Sequence, residues 1–201
     1  LDIDYLQSAA FSHAWSLCIE EQFYLVLPVV LAAGWRLRAS RVQGWTLLAA
    51  LVVLGISARA WLWQTYGRES TGRIDGYYPH IYYATLCRFD EFLPGVAVAM
   101  LKNFHRPTWS RLTQHGQALL AVGSAATLAM FVLVATRYQI DGVGYGFFMT
   151  AFGYSLMALS FAVLVAAALS PGSWLHRWRV PGAYSLALWS YSIYLSHKAV
   201  A

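Results

Sequence analysis

The sequence predicts an all-α protein, a polytopic transmembrane helical bundle of about six spans. Three observations carry that prediction. The chain is 59% hydrophobic and only 11% charged, where soluble domains carry about 25% charged residues, and its mean hydropathy is +0.49. Apolar stretches recur along it at spanning length. Lys and Arg collect in alternate connecting loops. The 9 Trp, 13 Tyr and 10 Phe exceed what one small core needs and suit aromatic belts at two water interfaces. A net charge of +5 does not point to nucleic acid, because the basic residues lie in short loops and not in one stripe.

The predicted spans are 14 to 34, 43 to 63, 80 to 101, 116 to 136, 146 to 169 and 183 to 201. Each is close to the roughly 20 residues that cross a hydrocarbon core of about 30 Å. The loop after the first holds Arg36, Arg38 and Arg41, that after the third Lys102, Arg106 and Arg111, and that after the fifth Arg177 and Arg179, all without an acid. The alternate loops balance Arg68 and Arg73 against Glu69 and Asp75, and Arg137 against Asp141. Retention of Lys and Arg on the cytoplasmic side sets the Asp2, Asp4 and His13 end outside, so the first span runs inward. Ser-Pro-Gly at 170–172 and Val-Pro-Gly at 180–182 mark loops. The polar stretch from Gly67 to Pro79 reads as an exposed loop that shapes an entrance. Cys18 and Cys87 read as buried unpaired thiols, and no metal-ligand spacing is present. The chain begins with Leu and shows no signal peptide, so it reads as a fragment.

The richest stretch is His13-Ala-Trp-Ser-Leu-Cys-Ile-Glu-Glu-Gln-Phe-Tyr24, which sets Glu20, Glu21 and Gln22 inside a segment apolar enough to cross a bilayer. An ionised carboxylate at such depth costs about 2.5–3.5 kcal/mol on insertion scales and calls for partners. Ser16, Glu20 and Tyr24 share one helical face, with His13 one turn earlier. They form either a catalytic polar track or an interhelical network. The second constellation is Arg88-Phe-Asp-Glu-Phe-Leu-Pro-Gly95. Its Arg88 stays charged and needs a carboxylate or phosphate, with Glu91 at i+3 and Glu20 or Glu21 across the bundle as candidates; Asp90 lies between. Arg59, late in the second span, is expected to snorkel outward. The last segment places Ser190, Tyr194 and His197 on one face, with Lys198 as an interfacial anchor.

These three segments, in this order, resemble the signatures of the acyltransferase 3 membrane proteins. The first resembles that family's His-x-Trp-Ser-Leu-x-x-Glu-x-Gln-Phe-Tyr pattern followed by an apolar run with proline, here Pro28; the others are similar to its Arg…Glu-x-x-x-Gly and Ser-Tyr-x-x-Tyr-x-x-His segments. The resemblance covers nearly all of residues 1–201 and implies a partial membrane acyltransferase domain of a bacterial inner membrane. It implies transfer of an acyl group, usually acetyl, from acyl-coenzyme A as co-substrate to a hydroxyl of a carbohydrate or other cell-envelope acceptor. By this reading Glu20, His13, Arg88 and Glu91 are catalytic, and Ser16, Glu21, Tyr24, Asp90, Tyr194 and His197 bind substrate. No bound cofactor or metal is expected. The family's histidine base, with an arginine before it, belongs to a helix with no counterpart here, and its closing helix is also missing; Lys198 replaces a usual apolar residue or proline. The rival reading is a proton-coupled transporter or permease built from the same buried Glu, Arg and His.

Overall fold

The computed structural model describes residues 15–178 and 181–200, with backbone alone at 191 and 195–200. Helix α1 covers Trp15–Arg36 and α2 covers Arg41–Tyr66. A capping box starts α2. The Ser40 hydroxyl accepts from the Gln43 backbone N–H at 3.2 Å, and the Gln43 side chain accepts from the Ser40 N–H at 2.7 Å, satisfying two donors the helix start leaves open. After a run of short turns come α3 (Leu93–Phe104), α4 (Arg106–Gln114) and α5 (Gly116–Arg137). A two-stranded antiparallel hairpin, β1 (Gln139–Ile140) with β2 (Gly144–Tyr145), caps the α5 end, with Gln139 opposite Tyr145. Then α6 (Tyr154–Ala168), α7 (Trp174–Arg177) and α8 (Ala183–Val200) complete the described chain.

The fold is the helical one the sequence predicts, and four stretches are long and apolar enough to cross a membrane: Trp15–Arg36, Arg41–Tyr66, Gly116–Arg137 and Met149–Ala168. They correspond to the first, second, fourth and fifth predicted spans. Leu25, Val29 and Leu128 are 72%, 67% and 67% exposed on them, a surface that suits acyl chains and not water. The sixth prediction is the helix α8, which Ser, Tyr, His and Lys make more polar than these four.

The third predicted span is not one helix. It divides into a π turn (Tyr78–Tyr82), two 3-10 turns (Thr85–Cys87 and Phe89–Phe92) and the 12-residue α3. Pro79 and Pro94 each sit in the first turn of a helical piece, where a missing N–H is harmless, whereas mid-helix they would break the ladder. The predicted entrance loop 67–79 also differs from the expectation. It folds into two 3-10 turns, Glu69–Thr71 and Ile74–Gly76, and delivers a fully buried Tyr77.

Helices α5 and α6 pack along their length, with Gly123 against Leu164 and a Thr127 to Ser160 hydroxyl bond of 3.2 Å. The tightest core lies at one end, where Arg59, Tyr77, Ile81, Cys87, Asp90, Thr150 and Ala151 are fully buried. Cys87 is thus the buried thiol expected, but Cys18 is exposed; both are free.

A β-carbon on Gly55 would lie 2.7 Å from both Cγ and Oδ1 of Asp90, whereas one on Gly95 would meet nothing within 4 Å. Gly55→Ala is therefore expected to destabilise by about 1–3 kcal/mol through overpacking, and Gly95→Ala to leave stability equal or slightly higher. Thermal unfolding of the two variants in detergent checks this ordering.

Candidate active site

Arg59 and Asp90 form the electrostatic centre of the molecule. Arg59 does not snorkel outward as expected; it is fully buried and points into the bundle. Its Nη1 donates to Asp90 Oδ1 at 2.6 Å and to the Cys87 carbonyl at 2.6 Å, and its Nη2 donates to Asp90 Oδ2 at 2.9 Å and to Ser155 Oγ at 2.7 Å. Nε donates to the Ala151 carbonyl at 3.0 Å. All five guanidinium N–H groups thus have acceptors. Ser155 in turn donates to Asp90 Oδ2 at 2.5 Å. A buried charge persists only when it is paired and hydrogen-bonded in this way. Arg59 turns inward because of Asp90: the turn Phe89–Phe92 presents a carboxylate to α2 that no other described basic side chain pairs with. Asp90 accordingly faces Arg59.

The next residues along this turn face the other way. Arg88 chooses Glu91 among the predicted partners: Nε lies 3.0 Å from Glu91 Oε1. No ion pair joins it to Glu20 or Glu21 among the described residues. Three aromatic rings surround its guanidinium, with Cζ 5.3 Å from the Trp15 centroid, 5.1 Å from Tyr82 and 4.3 Å from Tyr154. Tyr154 is shared, since Arg59 Cζ lies 5.6 Å from the same ring. Cation–π contacts of this kind are worth about 0.5–2 kcal/mol each. The ion pair is close but not aligned as a hydrogen bond. Arg88 Nη1 and Glu91 Oε1 are both buried without a hydrogen-bond partner among the described residues. Such atoms cost about 1–3 kcal/mol each, more when charged, and call for a reason.

The reason is a cavity. Arg88, Glu91 and Tyr154 form the polar end of a space of about 510 Å³ between α3 and α6, continued by Phe92, Gly95, Met157, Ala158, Phe161, Ala162 and Val165. The α6 residues lie at 154, 157, 158, 161, 162 and 165, one helical stripe about 16 Å long. A donor and an acceptor thus stand at one end of an apolar groove. Tyr154, Met157, Phe161 and Gly95 were not foreseen as site residues; the one signal for Tyr154 is a phenol inside the apolar run 147–169.

The first helix presents the other candidates. Its inward stripe sets Trp15 against Tyr82 and Tyr83, with centroids 5.0 and 5.1 Å apart, buries Ile19, and stacks Phe23 on Phe92 at 4.7 Å. The adjacent stripe is the polar one. Ser16 Oγ lies 2.5 Å from Tyr194 Oη on α8, and Tyr24 donates to Glu20 at 2.6 Å. Glu20 is half-buried and Glu21 exposed, while Gln22 accepts from Thr85 at 3.1 Å. The predicted face therefore exists and reaches α8, next to the stripe that carries Trp15 and Phe23. His13 lies outside the described residues, as does the side chain of His197. Among the described residues no cluster of His, Cys, Asp or Glu fits a metal ion.

Above the pocket, tyrosines make a dense cap. Tyr77 stacks on Tyr145 at 3.5 Å and bonds Thr150 at 2.9 Å, and Tyr138 bonds Tyr154 at 3.0 Å. Burial pushes the phenols of Tyr77, Tyr138 and Tyr145 above the ordinary tyrosine range, so they stay neutral and serve as hydrogen-bonding groups. Through Tyr138 and Tyr154 the hairpin end is tied to the ring that holds Arg88.

No family model and no solved structure matches the chain. Among curated proteins, its relatives carry the names of O-acetyltransferases, in agreement with the resemblance read from its motifs. In particular, it is 28% identical to "Putative peptidoglycan O-acetyltransferase YrhL" of Bacillus subtilis over 89% of the chain and 27% of that protein. It is 28% identical to "Peptidoglycan O-acetyltransferase OatA" of Listeria monocytogenes over 89% of the chain and 28% of that protein. It is 23% identical to "Putative O-acetyltransferase SACOL0978" of Staphylococcus aureus over 99% of the chain and 31% of that protein. The chain spans under a third of the length of each of these relatives.

Because the buried pair is closed and fully bonded, removing one partner strands the other. Arg59→Ala and Asp90→Ala are each expected to destabilise by about 3–5 kcal/mol, and Arg59→Lys to recover little, since an ammonium lacks the fork that meets five acceptors. Thermal unfolding in detergent, with Ser155→Ala as the milder member of the series, reads this out.

Proposed function

We propose that this chain is the part of a membrane O-acyltransferase that binds the acyl group, and that the whole protein moves acetyl from acetyl-coenzyme A to a hydroxyl of a cell-envelope glycan. The carrying observation is the pair of buried, unsatisfied atoms, Arg88 Nη1 and Glu91 Oε1, at the polar end of the apolar groove. Acyl transfer needs a donor aimed at the oxyanion and an acceptor for the attacking hydroxyl, and this pair offers one of each. The names of the relatives support the reaction class and a glycan acceptor.

The roles follow from the chemistry. The hydroxyl oxygen attacks the thioester carbon, the C–S bond breaks, the ester C–O bond forms, and the hydroxyl proton ends on the released thiolate. Arg88 stabilises the oxyanion of the tetrahedral intermediate. Glu91 accepts a hydrogen bond from the reacting hydroxyl or orients the base, which the family resemblance places on a histidine outside the matched motifs. The stripe Ser16, Glu20 and Tyr24 with Tyr194 forms the acceptor side, and His13, Glu21 and His197 are assigned to it as the family resemblance implies. Asp90 acts as a positioning residue through Arg59. In the orientation set by the loop charges, the groove runs about 16 Å from the Val165 end, on the cytoplasmic side, outward to Arg88. That direction suits the linear arm of a cytoplasmic thioester, and a donor on that side supports the bacterial inner membrane as the site of the reaction.

The test uses the full-length protein in bilayer discs with labelled acetyl-coenzyme A and a glycan acceptor. Arg88→Lys is expected to lower kcat/KM by about 10²–10³-fold, the loss of one oxyanion donor. Glu91→Gln and Glu20→Gln are expected to lower kcat by at least about ten-fold each, and Gly95→Leu to raise the KM for the donor by filling the groove. Transport of unmodified glycan, or ester formation at the parent's rate in Arg88→Lys, contradicts the proposal.

A further inference from the structure

A second cleft, of about 600 Å³, opens beyond the last turns of α2 and is lined by Trp63, Gln64, Arg68 and Phe147. It lies one turn past Arg59 on the same helix, at the end that the loop charges set outside. None of these residues belongs to the three motif segments.

The cleft is built from fixed parts. The indole N–H of Trp63 donates to the Tyr145 carbonyl at 2.7 Å, and its ring meets that of Phe147 at 4.9 Å and 67°, so the two make a corner. Gly67 permits this: a β-carbon there would lie 2.0 Å from Trp63 Cδ1. The hairpin locks the same place from the other side. The Tyr145 N–H donates to the Gly67 carbonyl at 2.8 Å, and the Glu69 N–H to the Val143 carbonyl at 3.1 Å. Gly144, at φ +105°, allows the close approach, since a β-carbon would stand 2.6 Å from the Gly67 carbonyl oxygen.

Two polar side chains complete the corner. The Arg68 guanidinium lies over the Trp63 ring, with Cζ 4.5 Å from its centroid. It makes no side-chain hydrogen bond among the described residues, so its in-plane N–H groups are available. Gln64 is exposed and adds an amide that both donates and accepts. Flat apolar rings with planar amide and guanidinium edges match a sugar, whose ring presents C–H faces and a rim of hydroxyls. The charge of the surroundings argues against an anion, because Arg68 and Arg73 are balanced by Glu69 and Asp75.

We infer that this cleft is an acceptor subsite that holds a neutral saccharide unit of the glycan at the outer mouth. The inference rests on the proposed transfer for its purpose but not for its test. The full-length protein in zwitterionic lipid discs, without any acyl donor, is titrated calorimetrically with a β-linked N-acetylglucosamine tetrasaccharide. Saturable binding is expected, weakened by about ten-fold or more in Phe147→Ala and in Arg68→Ala, each the loss of an anchor worth over about 1.4 kcal/mol, and by less in Gln64→Ala. Absence of binding by the parent overturns the inference, as does binding that Phe147→Ala and Arg68→Ala leave unchanged. Displacement of the saccharide by glycerol 1-phosphate at equal concentration overturns it in favour of a lipid headgroup. Because binding is read here without a donor, saccharide binding by a protein that forms no ester in the separate assay with labelled acetyl-coenzyme A would contradict the proposed reaction and leave this subsite standing.

Discussion

A guanidinium with every N–H engaged, deep in an apolar chain, is the constraint around which the rest is arranged. Arg59 binds Asp90, Ser155 and two carbonyls, Cys87 and Ala151. In one step it joins α2 to the turn Phe89–Phe92 and to the start of α6. Gly55 leaves the room for Asp90 to reach it. An ion pair of this kind is weak evidence for net stability, because desolvation offsets attraction. Its value here is geometric: it determines which way each residue of the turn faces.

With Asp90 held toward α2, Arg88 and Glu91 face the space between α3 and α6. There, Trp15, Tyr82 and Tyr154 enclose the guanidinium without supplying acceptors for all its N–H groups. One arginine is therefore satisfied and the other is left with bonding capacity, and Tyr154 lies between them. That division separates a structural charge from the one proposed to act on the substrate. The tyrosine cap ties the hairpin end to Tyr154, so the pocket and the outer cleft share a rigid roof.

Much of the helical plan was legible because length and hydropathy alone determine spanning helices, and four of the predicted spans are such helices. Pairing of Arg88 with Glu91 was legible from their i, i+3 spacing, and so was the stripe Ser16, Glu20, Tyr24, but not its link to Tyr194. What the sequence hid are contacts between distant segments. Arg59 and Asp90 stand 31 positions apart, and nothing local distinguishes an arginine that snorkels from one that meets a carboxylate in the interior. The break in the third span was signalled by Pro79 and Pro94, but the apolar count across 80–101 outweighed them. Tyr154 and Gly95 owe their place to which faces of α3 and α6 meet, a property of packing that no periodicity records.

The claim that matters most is that the groove between α3 and α6, ending at Arg88 and Glu91, holds the acyl donor. A single cysteine placed there tests it directly. In full-length protein with Cys18 replaced by serine, Met157→Cys is labelled with a small thiol reagent with and without acetyl-coenzyme A, against Leu128→Cys on the lipid-facing side of α5. The account predicts that acetyl-coenzyme A slows labelling at Met157→Cys and leaves Leu128→Cys unchanged. Equal rates at Met157→Cys with and without the donor, at concentrations that saturate transfer, would contradict it.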